Sequence, residues 1–175
     1  MKGWKNDKKW SDKFLPEIKA ILGQQFIGAA PYEEDTERNT DLIVLKLEPI
    51  RIACRLRRKE YFEKWPDEFT IRSSRPTGNK TELTKIMEGW GDYFFYGFCD
   101  DEVLVYWTIG DLKVFRLWFN RQLFRNKGAV PGKEQKNGDG SSLFIAFRWS
   151  QLPPEFIVNQ AIHPELSRHE WPGLT

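Results

Sequence analysis

The stretch YEEDTERNTDLIVLKLEPIRIACRLRRKEY, Tyr32 to Tyr61, is the one on which the fold turns. It opens with the acids Glu33, Glu34, Asp35, Glu37 and Asp41 and closes on Arg55, Arg57, Arg58 and Lys59. Between them lie two segments of strand character. LIVLKLE is nearly continuous in apolar residues, the pattern of a strand buried on both faces. RIACRLRR alternates: Arg51, Ala53, Arg55 and Arg57 fall on one face, and Ile52, Cys54 and Leu56 on the other. With Pro49 turning the chain between them, the two read as a β-hairpin that is acidic at its start and basic at its end.

Outward from this hairpin, helices and strands alternate. On the N-terminal side, Asp12 caps a helix through about Leu22, with Pro16 in its first turn and Gly23 as its stop. GQQFIGAAPY reads as a short strand. On the C-terminal side, EFTIRSS reads as a strand and RPTGNK as a turn. TELTKIMEGW reads as an amphipathic helix carrying Leu83, Ile86, Met87 and Trp90 on one side. DYFFYGF and VLVYWTI form a second hairpin across a short acidic turn. GDLKVFRLWFNRQLF is a helix capped by Asp111. RNKGAVPGKEQKNGDGSS reads as a long flexible loop, and LFIAFRW as a last strand. This order predicts an α/β fold with a central mixed β-sheet flanked by helices. It is read as one domain over residues 1–175, with a core over 10–110, an addition of helix, loop and strand over 111–160, and a loosely ordered tail over 161–175.

Composition narrows the function classes. A chain of 175 residues with 40% hydrophobic and 15% aromatic residues can bury a sizeable core. A formal net charge of +2 excludes a simple polycation, so a nucleic-acid surface would have to be a local patch. Apolar runs are short and broken by charge, which predicts no membrane-spanning helix, and no secretory signal is legible at the N-terminus. Cys54 and Cys99 sit in apolar segments and read as buried free thiols of a reducing cytoplasm. The two histidines, His163 and His169, lie in the tail, which argues against histidine catalysis and a zinc site.

The order α-β-β-β-α-β, with an aspartate opening the second strand, resembles the core of the PD-(D/E)XK nuclease superfamily over roughly Asp12 to Ile109. The resemblance implies metal-dependent hydrolysis of phosphodiester bonds, with Mg²⁺ or Mn²⁺ held by carboxylates and a lysine orienting the attacking water. Thr40-Asp41 matches the metal aspartate, and Glu17 on the first helix weakly matches the helix glutamate. At the acid-x-lysine position stand Ala53-Cys54-Arg55, where arginine can clamp a phosphate but not serve as a base. A migrated site would then take Asp41, Glu82, Arg55 and Lys85 as its catalytic set, with Asp41, Glu82, Glu34 and Asp35 as metal ligands. Arg51, Arg57, Arg72, Arg75 and Lys80 would hold the nucleic-acid backbone.

Two readings follow. One is a nuclease acting on DNA, including branched or single-stranded forms. The other is a non-catalytic protein of the same fold that grips nucleic acid, or occupies the surface of a host protein. The stretches EEDTERNTDLIVL, FTIRSSRPTGNKTEL, EGWGDYFFYGF and NGDGSSLFIAF are similar to a group of phage and bacterial proteins that brings no activity with it. That likeness implies a phage or mobile-element origin and a place in the host cytoplasm. A homodimer, common among nucleases of this type, is a further expectation. Trp4, Trp10, Trp65 and Trp171 lie in polar surroundings, where aromatic rings beside basic residues can stack on unpaired bases.

Overall fold

The computed structural model describes residues 2–29, 42–44, 50–76, 78–101, 103–138 and 140–162. Backbone contacts divide the chain into two units, Met1–Pro49 and Ile50–Thr175. The boundary falls inside the stretch that was expected to be one hairpin.

In the first unit, α1 (Lys2–Asp12) and α2 (Leu15–Phe26) replace the single expected helix. Asp12 ends the first of them and accepts an ion pair from Lys8 at 2.8 Å. Pro16 sits in the first turn of α2, where its missing N–H costs nothing. Gly23 does not stop that helix. It lies on an open face, with no atom within 4 Å of where a Cβ would stand. The short strands β1 (Ile27–Ala29) and β2 (Leu42–Val44) pair antiparallel, Gly28 opposite Ile43.

In the second unit, the strand carrying the arginines is β3 (Ile52–Arg58). It is followed by α3 (Lys59–Lys64), β4 (Glu68–Ser74), α4 (Glu82–Met87), β5 (Tyr93–Cys99) and β6 (Leu104–Asp111). Then come α5 (Leu112–Arg125), β7 (Lys133–Lys136), β8 (Leu143–Arg148) and β9 (Ile157–Ile162). The central sheet runs β3-β5-β6-β9 and is mixed: β3 is parallel to β5, and the other pairs are antiparallel. A second sheet runs β4-β8-β7 and is antiparallel throughout.

The mixed α/β architecture with a multi-stranded sheet flanked by helices is as expected. So are the β5–β6 hairpin and the cap of α5, where Asp111 accepts from the N–H groups of Lys113 (2.7 Å) and Val114 (3.1 Å). Other expectations are met differently. Of the expected hairpin of Leu42–Glu48 with Arg51–Arg58, residues 45–49 lie outside the described residues; among the described ones, β2 pairs with β1 and β3 with β5. The segment expected to be a loop, 125–142, contains β7. Within residues 111–160, β9 is the fourth strand of the central sheet and β8 is the middle strand of the other sheet. Among the described residues, no feature of the fold specifically marks a PD-(D/E)XK nuclease core. Among the described residues, no helix is long and apolar enough to cross a membrane.

The core lies between the two sheets and α5. Phe94, Tyr96 and Phe98 of β5 meet Phe69 and Ile71 of β4, Ile145 and Phe147 of β8, and Leu112, Phe115 and Phe119 of α5. Phe69 is its hub, fully buried, with its ring stacked on Trp149 at 4.2 Å and on Phe147 at 5.5 Å. Gly110 is required where β6 passes the fully buried Phe156. A Cβ there would lie 2.3 Å from that ring.

Candidate functional site

Among the described residues β3 is an outer strand of the central sheet; it carries the arginine row, and its register with β5 fixes where that row points. Ala53, Arg55 and Arg57 stand beside Phe94, Tyr96 and Phe98. Side chains paired in this way share a face of the sheet. The row therefore lies on the side of the core rather than on a wholly solvated face. Ala53 packs against the core.

The arginines then separate into different environments. Arg55 donates from Nη1 to Oε2 of Glu82 at 2.5 Å, with side chains only 17% and 25% exposed. The same Oε2 accepts the backbone N–H of Arg72 at 3.0 Å. The carboxylate thus ties β3 to β4 from the first turn of α4. Arg51 is exposed, and its N–H donates to Asp92 Oδ2 at 2.7 Å. Lys80 pairs with Glu88 at 2.7 Å. Arg75 and Lys85 are exposed. Arg58 pairs with Asp101 at 3.5 Å, and Lys59 with Asp100 at 2.5 Å.

Of the expected catalytic and metal set, the structure brings Arg55 and Glu82 together. Asp41, Glu34 and Asp35 lie outside the described residues. Glu17 lies on α2 in the other unit. Among the described residues, no group of three or more His, Cys, Asp or Glu side chains is placed to hold a metal ion. Glu82, with one oxygen shared between a guanidinium and an amide N–H, is already neutralised. By itself it does not fit a divalent cation, which takes several oxygen ligands and favours carboxylates without a competing positive charge. Neither cysteine is in a disulfide. Cys99 is buried, but Cys54 is exposed rather than buried.

A different arrangement stands at the end of β3. The Arg57 guanidinium lies over the Tyr61 ring, 4.1 Å from its centroid. Tyr61 stacks on Trp65 at 5.9 Å with 30° between the planes, and Lys64 Nζ lies 4.9 Å from the Trp65 ring. Tyr61 and Trp65 are each 42% exposed. Their i,i+4 spacing along α3 and its C-cap puts both rings on one face. Beside them opens a cavity of about 70 Å³, lined by Arg57, Tyr61, Trp65 and Phe98 on one side and by Glu68, Thr70, Gln135 and Phe144 on the other, with Tyr96 also reaching it.

Thr70 and Tyr96 satisfy one another: their hydroxyls are 3.2 Å apart, and the Tyr96 hydroxyl also accepts the Thr70 N–H. Trp65 was legible in the sequence as an aromatic in polar surroundings. Tyr61, Glu68 and Gln135 were not singled out. The available signal was the Tyr61–Trp65 spacing directly after an arginine strand. Glu68 and Gln135 reach this place only through the pairing of β4 and β7 with β8.

Comparison with protein-family models, with curated proteins and with solved structures finds no match for this chain.

Proposed function

We propose that this protein binds single-stranded nucleic acid through the surface formed by Arg57, Tyr61, Lys64 and Trp65. The observation that carries the reading is the Arg57–Tyr61–Trp65 stack. Two half-exposed rings stack on one another, flanked by two cations, directly after β3, an outer strand of the central sheet among the described residues. Unpaired bases stack on such rings whatever their sequence, and the cations meet the phosphates between them. Duplex bases are already stacked and cannot use the rings, so the reading favours single strands.

Hydrolysis is not part of this reading. Arg55 and Arg72 engage Glu82, which leaves it a structural ion-pair partner. The acids that a cation would need besides it, Asp41, Glu34 and Asp35, lie outside the described residues.

The test is a fluorescence-anisotropy titration of labelled single-stranded and duplex oligonucleotides, run with the native chain and with Trp65→Ala. The reading expects tighter binding of the single strand, and loss of that binding in the variant. Equal binding of single strand and duplex, unaffected by Trp65→Ala, would refute it.

A further inference from the structure

The cavity beside the aromatic pair is lined by the polar side chains of Arg57, Glu68 and Gln135. Among the described residues, no hydrogen bond or ion pair engages the side chains of Arg57, Glu68 or Gln135, although Arg55, Arg58 and Lys59 close by are all paired. A cation, a carboxylate and an amide thus face one aromatic-walled space from three different strands.

We infer that this cavity receives the Watson–Crick edge of a guanine base in a single-stranded nucleic acid whose ring stacks on Tyr61 and Trp65. The inference rests on the binding reading above and adds a base preference to it.

Lining and chemistry both point this way. The cavity is lined by Tyr61 and Trp65 as well as by Glu68 and Gln135, so a base whose edge reaches the polar groups keeps its ring against the aromatic walls. An ionised carboxylate only accepts hydrogen bonds. Guanine presents two neighbouring donors, N1–H and the N2 amino group, which match its two oxygens. Adenine and cytosine each put one donor beside an acceptor that the carboxylate repels. Thymine and uracil offer one donor between two carbonyls. The Gln135 amide can donate to the guanine O6. A cationic ligand such as a quaternary ammonium group would suit the aromatic walls, but Arg57 over Tyr61 opposes it.

The experiment uses the full chain and short labelled oligo(dT) strands carrying one central guanine, adenine, cytosine or thymine. The guanine strand should bind about tenfold more tightly than the others, the scale of one good bidentate contact to a base. Glu68→Gln should erase that preference while retaining binding of oligo(dT), with circular dichroism showing that the variant folds. Equal affinity for all four strands, with binding still sensitive to Trp65→Ala, would overturn the guanine assignment and leave the stacking surface standing. A guanine preference unchanged in Glu68→Gln would also overturn it. No binding of any strand would overturn both readings.

Discussion

The guanidinium of Arg57 lies over the ring of Tyr61, 4.1 Å from its centroid, whereas two residues earlier on the same strand Arg55 is locked to Glu82 at 2.5 Å. One arginine of the row is thus a strut and the next is available to a ligand. A cation over an aromatic ring contributes about 0.5–1 kcal/mol at an exposed site, little enough for a phosphate to compete for the guanidinium.

Binding should therefore depend on salt, but gently. With Arg57 and Lys64 as the phosphate contacts, log K should fall against log salt with a slope of about −1.4 for a single strand. Raising salt from about 50 to 200 mM then weakens binding about sevenfold. Arg57→Ala should halve the slope, and Trp65→Ala should leave the slope unchanged while costing about 1–3 kcal/mol. Titrations at stepped salt measure both quantities. A steep slope would locate the contacts elsewhere.

Metal removal should change nothing in this binding. Chelation with EDTA should leave the affinity for single strands within error, because no described carboxylate cluster takes part. If chelation abolished binding or revealed a lost cleavage activity, the acids at Asp41, Glu34 and Asp35 would have to be brought into the account.

Glu82→Ala should destabilise the fold rather than act through chemistry. It strands the mostly buried Arg55 and removes the acceptor of the Arg72 N–H. The expected loss is about 1–3 kcal/mol in urea unfolding. Glu82→Gln should recover part of it by accepting the same N–H. An unchanged midpoint in Glu82→Ala would show the pair to be idle.

Gly110→Ala should be costly for a different reason. Its methyl would meet the fully buried Phe156 ring. Overpacking of this kind costs about 1–3 kcal/mol. Gly110→Ala combined with Phe156→Leu should regain part of the loss, measurable as a partial return of the thermal midpoint.

The pH response has two limbs. The hydrogen bond from Lys59 holds the Asp100 carboxyl below its ordinary range, and the same bond raises Lys59. The carboxylate's contribution is present above its ordinary pKa and is lost as pH falls through the lowered value. That of the ammonium is present below its ordinary pKa and is lost as pH rises through the raised one. Burial pushes the Tyr106 phenol up, so the stability it confers is lost as pH rises through its raised value. Tyrosinate absorbance should therefore show one tyrosine that ionises late, above the ordinary value of about 10. Tyr106→Phe should remove that step.

The parts of the fold that were legible in sequence are those set by neighbours along the chain. The β5–β6 hairpin announces itself by two apolar runs and a short turn, and α5 by Asp111 and its apolar spacing. The partner of β3 was not legible. Arg51–Arg58 follows Leu42–Glu48 so closely that a hairpin is the local reading, yet β3 lies parallel to β5, a pairing that only the intervening α3, β4 and α4 make reachable. KEQK has neither alternation nor apolar residues, so β7 is defined by β8 and not by itself. The site shows the same division. Arg55 and Glu82 were assigned to one place and do meet there, as an ion pair. Glu68 and Gln135 belong to strands of the second sheet and carry no local mark of a site.

The most direct test of the central claim is photocrosslinking of a single-stranded oligonucleotide containing 5-iodouracil, with the crosslinked residues mapped by mass spectrometry. The account predicts crosslinks at Tyr61 or Trp65, lost from each ring when it is replaced. Crosslinks confined to other parts of the chain, with Tyr61 and Trp65 unmodified, would contradict it.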